Sequence, residues 1–272
     1  MKAFGLALGG GGVKGLAHIA LLKKLDEIGA KPEAISGTSM GAIIGALYAH
    51  GLSGTDIEER VRAHLFSRKE SIKETYRRRK HLVKWLKVFK FDKERGGFIT
   101  ADGLFEHLFS ELLDCDFSEL EIPFTAVAAD FNTAEEVTLN RGQVLPAVQA
   151  SMAVPGVFSP VILNNRLLVD GGVVNNVPCS HIAQPERLTI ASDVISLSEV
   201  KKPKATEVVS GAFSIMMRAA TEQRFSQHPP DFVFRPDTKK IDAFDFHKIA
   251  KVLERGDAAI ERTSPQLELL LR

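Results

Sequence analysis

The chain is 272 residues long, 44% apolar and 25% charged, the profile of an ordinary globular protein with material for one large α/β domain or two small ones. Thirty-five Lys and Arg against 34 Asp and Glu leave a formal charge of +1, which removes the electrostatic case for a nucleic-acid partner. Cys115 and Cys179 are too far apart to form a metal-ligand spacing, and a reduced, cytoplasmic setting is the simplest account of them.

The N-terminus begins like a leader sequence, but its apolar run is short. It stops at Gly9-Gly10-Gly11-Gly12 instead of a small-residue cleavage site, so Ala3–Leu8 is predicted as a buried first strand. No stretch approaches ~18–20 consecutive apolar residues, and no membrane-spanning helix is expected. Leu16, Ile19, Ala20, Leu22 and Leu25 predict a helix from about Lys14 to Ile28. Ala34-Ile35-Ser36 is a second strand, and Ala42 to Tyr48 a second helix. Alternation of this kind implies a parallel sheet with helices on its faces.

Residues 66–97 differ in character. Twelve basic residues, Arg77, Arg78 and Arg79 among them, face only four acidic ones, with Leu82, Trp85, Leu86, Phe89 and Phe91 interleaved. That pattern reads as a basic amphipathic helical insertion, either packed on the main domain or lying on an anionic membrane surface. Further on, Pro123–Ala129, Val161–Leu163, Leu167–Val169 and Leu188–Ala191 are predicted strands, and 204–227 a long helix carrying Val208, Val209, Phe213, Ile215, Met216 and Phe225. The one soft joint, 201–204, is too short to separate domains, so a single domain over 1–272 is expected.

Three motifs carry chemistry. Gly37-Thr38-Ser39-Met40-Gly41 is G-x-S-x-G between a strand and a helix, the setting of a nucleophile elbow. A serine forced onto so sharp a turn takes a strained conformation, and glycine at −2 and +2 makes room for it. Taken alone, the pentapeptide reads equally well as a small-residue turn. Gly10, Gly11 and Gly12, followed by Lys14 and Gly15, lie between the first strand and first helix, where successive backbone N–H groups make a concavity for negative charge. The same loop satisfies G-x-G-x-x-G, but no acidic residue ends the second strand as dinucleotide binding requires, and no Ser or Thr follows Lys14 as in a P-loop.

The serine needs a base. A histidine triad would look to His228 or His247, neither in a recognisable turn after a buried strand, while His18 and His181 read as packing or surface residues. Asp170-Gly171-Gly172 ends the apolar Arg166–Val169 run, and a carboxylate within hydrogen-bond reach accepts the serine proton directly.

G-G-G-x-K-G, G-x-S-x-G and D-G-G in this order, joined by Ala150–Pro160 and Asn175-Asn176-Val177-Pro178, resemble the patatin-like phospholipase family and its compact bacterial members, over about residues 3–195. The resemblance implies a three-layer α/β/α sandwich with a mainly parallel central sheet. It implies a Ser39–Asp170 dyad without histidine, an oxyanion hole from Gly10, Gly11 and Gly12, and no metal or organic cofactor. Lys14 stands where the family carries Lys or Arg; Gly9 stands where plant patatins begin the loop with aspartate. The implied activity is hydrolysis of lipid acyl esters, from phospholipase A to carboxylesterase type. Acyl transfer through the same acyl-enzyme, or a membrane-associating module with a vestigial site, are the alternatives. The cysteine usage predicts a cytoplasmic setting, peripheral to the membrane if residues 66–97 lie on an anionic surface.

Overall fold

Phe4, Leu6 and Leu8 alternate with Gly5 and Ala7 along the first strand, and all five are buried, so this strand has a core on each face. The computed structural model describes residues 1–65, 90–92, 98–100, 112–197 and 205–272. Ten strands are seen among them: β1 (Phe4–Leu8), β2 (Ala34–Thr38), β3 (Lys90–Asp92), β4 (Phe98–Thr100), β5 (Phe124–Asp130), β6 (Glu136–Leu139), β7 (Val161–Leu163), β8 (Arg166–Asp170), β9 (Leu188–Ser192) and β10 (Phe232–Phe234). The helices among the described residues are α1 (His18–Glu27), α2 (Met40–Ala49), α3 (Gly54–Leu65), α4 (Val144–Ser151), α5 (Ala205–Gln227) and α6 (Ile249–Leu271).

Eight strands form one sheet in the order β10-β9-β1-β2-β5-β8-β7, with β6 also on β5. The larger half, β10 to β5, is parallel as expected. The remainder is antiparallel: β6 and β8 both run against β5, and β7 against β8. The β7–β8 hairpin closes through Asn164-Asn165, both at positive φ (50° and 60°), the two-residue turn whose twist matches its strands.

The main core lies on the sheet face carrying Phe4, Leu6, Leu8, Ile35 and Ile190, where residues of α1, α2, α4 and α6 bury Leu21, Ile43, Val148 and Val252. The opposite face, with Ala7 and Ala191, holds a smaller core of Val177, Cys179, Ile182 and Phe225, the last from α5. Helices thus cover both faces, the three-layer α/β/α arrangement. The predicted first helix begins as a 3-10 turn, Gly12–Ala17, and becomes α-helical only at His18. Of the basic insertion expected at 66–97, Lys90–Asp92 is a strand paired antiparallel with β4; the rest lies outside the described residues.

Candidate active site

β2 ends at Thr38 and α2 starts at Met40, which leaves Ser39 alone to turn the chain. It does so at φ 55°, ψ −123°, a conformation costing a non-glycine residue on the order of 1–3 kcal/mol. The reversal packs α2 back against the strands so closely that a Cβ at Gly37 would sit 2.5 Å from the Gly41 carbonyl oxygen, and one at Gly41 2.1 Å from that of Leu8. Both glycines of the pentapeptide are therefore steric requirements. The turn is held from outside: the Ser39 N–H donates to Ser151 Oγ at 2.9 Å, and the Ser151 hydroxyl donates to the Val127 carbonyl at 2.6 Å.

Strand register delivers Asp170 to the same point. β6 pairs with Ala126–Ala129 of β5, overlapping the residues paired by β2 and those paired by β8, so β6 occupies one edge and β2 and β8 share the other. On that shared edge Thr38 faces Val127 and Asp170 faces Ala128. The two strands run towards each other and end at adjacent positions, which places the residue after Thr38 beside Asp170. The Ser39 hydroxyl stands near enough to the Asp170 carboxylate to lower its pKa, and the Gly172 N–H donates to Asp170 Oδ1 at 2.7 Å. Gly171 crosses the Val127 backbone, where a Cβ would approach the carbonyl oxygen to 2.2 Å. Asp170 is buried, and desolvation raises its pKa from the ordinary carboxylate value to about 6, against the lowering effect of the Ser39 hydroxyl and the Gly172 N–H.

The glycine loop lies over this pair. Gly9 N–H donates to the Ser192 carbonyl at 2.9 Å, Gly10 N–H to the Asn176 carbonyl at 3.2 Å, and Val13 N–H to the Ala243 carbonyl at 2.8 Å. Gly12 adopts φ +56°, and a Cβ there would lie 2.3 Å from the Ala243 carbonyl oxygen. His18 braces the loop from beneath: Nε2 lies 2.8 Å from the Gly9 carbonyl, which only accepts, so Nε2 carries the proton and Nδ1 accepts from Ser192 Oγ at 2.7 Å. Full burial keeps this imidazole neutral, its pKa lowered to about 4. Among the described residues the N–H groups of Gly11, Gly12 and Met40 have no acceptor. Gly10, whose N–H is committed to Asn176, packs against Ser39 instead: a Cβ on it would lie 3.1 Å from the serine Cβ.

Ser39, Asp170 and the glycine loop open into a cavity of about 680 Å³, walled chiefly by apolar side chains such as Ile43, Met152, Phe158, Phe213, Met217 and Phe246. Lys14 also lines it, buried, and desolvation lowers its ammonium pKa against the raising effect of Asp242, Asp245 and Asp193. Gly15 packs under Met40, its Cβ position 2.5 Å from Met40 Cγ. The structure thus brings together every motif residue singled out in the sequence. No described histidine lines the cavity: His228 and His247 are exposed, and His181 pairs with Glu136. Ser151 and Asn176 are site components that the sequence does not reveal. Asn176 reaches the Gly10 carbonyl through Nδ2 at 3.4 Å, while its Oδ1 is buried without a hydrogen-bond partner among the described residues.

A family model described as Patatin-like phospholipase matches residues 6–182. One uncharacterized NTE family protein of Mycobacterium tuberculosis is 32% identical over 178 residues, covering 65% of this chain and 45% of its own length. A second from the same organism is 32% identical over 285 residues, covering 95% of this chain and 46% of its own. Lysophospholipase NTE1 of Kluyveromyces lactis is 25% identical over 229 residues, 84% of this chain and 15% of that protein. The chain therefore spans just under half the length of these mycobacterial relatives. Among solved structures, VipD from Legionella pneumophila shares the fold, with a TM-score of 0.55 at 15% identity over 96% of this chain and 66% of that one. With a family model spanning more than half of its length and a serine elbow, glycine loop and D-G-G turn converging on one cavity, this chain belongs to the patatin-like phospholipase family.

Proposed function

We propose that this protein hydrolyses acyl esters of lipids through Ser39 and Asp170. The observation that carries the reading is the Ser39 hydroxyl: it stands on a strained turn beside a buried carboxylate, and both line one largely apolar cavity. Ser39 Oγ attacks the ester carbonyl carbon while its proton passes to Asp170, whose raised pKa makes it a stronger base than an exposed aspartate. The carbonyl oxygen takes up the negative charge, and the unpartnered N–H groups of Gly11, Gly12 and Met40 are the donors available to receive it. Met40 N–H opens α2, whose dipole adds positive potential at the same place. Collapse expels the alcohol, protonated by Asp170, and leaves an acyl-Ser39 ester. Water then attacks this ester with Asp170 again as base, and the freed carboxylic acid restores Ser39.

Cavity size and lining favour a long hydrocarbon acyl group over a small polar one, since 680 Å³ of mostly apolar space returns its free energy through buried methylenes. Among the described lining residues Lys14 is the cation, suited to an anionic group near the ester. Fluorophosphonate labelling followed by a panel of esters, lysophospholipids and phospholipids tests the reading. Wild type should label and hydrolyse at least one lipid ester, whereas Ser39→Ala should do neither and Asp170→Asn should lose turnover while staying folded. His228→Ala and His247→Ala should keep most activity. Full turnover in Ser39→Ala would overturn the proposal.

A further inference from the structure

From Val208 to Met217, α5 carries ten consecutive residues without a charge, and none of the ten is buried. Five of the large apolar side chains exposed among the described residues fall in this stretch: Val208, Val209, Phe213, Ile215 and Met216, with Ile215 58% and Met216 65% accessible. A surface helix of a water-facing protein normally turns charged residues outward, and a stretch with neither a charge nor a buried residue is the exception that calls for a covering partner. The next turns conform: Arg218 and Glu222 pair with each other, and Thr221 and Phe225 are buried. The anomaly is thus confined to one end of α5.

That end is the wall of the cavity. Val209, Phe213 and Met217 point into it, one helical turn apart, while Val208, Ile215 and Met216 face outward. Phe244 and Val173 are likewise both lining residues and exposed ones. Apolar residues that line the cavity are therefore also exposed at its rim, with Ser210 and Ser214 of α5 among them in the lining. No helix among the described residues is long and apolar enough to cross a bilayer, so α5 is suited to lie on a membrane and not to span it.

We infer that residues 208–217 of α5 are a membrane-docking rim, which inserts its uncharged face into the hydrocarbon boundary of a lipid surface and lets an acyl chain pass into the cavity without entering water. The lipid surface is chosen over a protein partner on two grounds. The face offers no charge to complement, and it adjoins a cavity lined chiefly by apolar side chains. The inference takes the source of substrate from the acyl-ester reading above. It differs from docking through basic residues, because insertion of Ile215 and Met216 is hydrophobic and insensitive to salt.

The test uses the full chain and an Ile215→Glu/Met216→Glu variant, both positions exposed and neither lining the cavity. Each protein is sedimented with phosphatidylcholine vesicles at low and high salt. Wild type should bind at both, and the variant should bind on the order of a hundredfold more weakly, since two apolar insertions are replaced by two charges. Hydrolysis of a monomeric short-chain ester should be equal for the two proteins, while hydrolysis of a vesicle-embedded lipid ester should fall with binding. Equal vesicle binding by both proteins, or wild-type binding that vanishes at high salt, would overturn the inference. So would a wild-type dimer that the variant splits, since a second copy would then be the occupant. If neither protein hydrolyses any ester but vesicle binding still separates them, the docking rim stands and the hydrolase reading falls.

Discussion

The backbone N–H of Ser39 donates to Ser151 Oγ at 2.9 Å, and through that hydroxyl the strained elbow is tied to the Val127 carbonyl of the central strand β5. Val127 is also the residue opposite Thr38, next to the one opposite Asp170. One side chain therefore references the serine to the strand that also positions its carboxylate.

Ser151→Ala should separate positioning from chemistry. It orphans a buried N–H and a buried carbonyl, a cost of about 1–3 kcal/mol in stability. It also frees Ser39 to relax from its strained φ. kcat should drop on the order of tenfold to a hundredfold with KM nearly unchanged, because the acyl cavity is untouched. Steady-state kinetics and a melting curve check this. A rise in KM at constant kcat would assign Ser151 to substrate binding instead.

Asp170 accepts the serine proton only when ionised. With its pKa raised to about 6, kcat/KM should climb through a midpoint near pH 6 and stay level above it, without the histidine signature that Asp170→Asn would leave behind in a triad enzyme. The same shift sets a stability cost. The folded state binds the proton more tightly than the unfolded chain, so between about pH 4 and 6 stability falls as pH rises. Asp170→Asn should thus be inactive yet more stable than wild type at pH 7, by up to about 3 kcal/mol, with the advantage fading as pH drops towards 4. Melting temperatures of the two proteins across that range measure it.

Ser39 occupies a backbone conformation that glycine tolerates and alanine does not. Both Ser39→Gly and Ser39→Ala should be inactive, but Ser39→Gly should melt higher than Ser39→Ala, by on the order of 1 kcal/mol once the added flexibility of the unfolded glycine chain is subtracted. Equal melting temperatures would mean that the turn relaxes without strain.

Much of the site was legible in the sequence because its constraints are steric and local. Gly37 and Gly41 are forced by main-chain contacts within one strand–turn–helix unit, and a five-residue motif records them. The pairing of Ser39 with Asp170 is a matter of register: it depends on β2 and β8 ending at neighbouring positions on β5, which no spacing encodes, and the family resemblance supplied it. Ser151 and His18 were invisible as supports because each acts through a main-chain group, Ser39 N–H and Gly9 C=O, that any residue would present. The antiparallel half of the sheet carries a local sign in Asn164-Asn165 between two apolar runs, which the strand pattern alone presents as two separate strands and the structure joins as a hairpin. α5 shows the opposite case: the sequence places its apolar residues at helical spacing, yet only the structure shows that Val208, Ile215 and Met216 face outward while Val209, Phe213 and Met217 line the cavity.

His18 gives the counterpart to Asp170. Its ring is fully buried between the Gly9 carbonyl and Ser192 Oγ, in a geometry that needs the neutral form with the proton on Nε2. Burial lowers its pKa from 6.5 to about 4, so between those values the unfolded chain binds the proton and the folded one does not. The unfolded state then holds more protons, and stability rises with pH over this window, contributing about 3 kcal/mol above pH 6.5 that is lost as pH falls towards 4. The sign is opposite to that of Asp170 over nearly the same range, so the two contributions largely cancel in the wild type. Single variants should uncover them. His18→Gln, which keeps a donor for Gly9, should be destabilised at pH 7 and approach wild-type stability as pH falls towards 4, while Asp170→Asn loses its advantage over the same span. A destabilisation of His18→Gln that is constant with pH would mean the histidine is protonated in the folded state, and the support of the Gly9–Gly12 loop would then have to come from an imidazolium and not from a neutral ring.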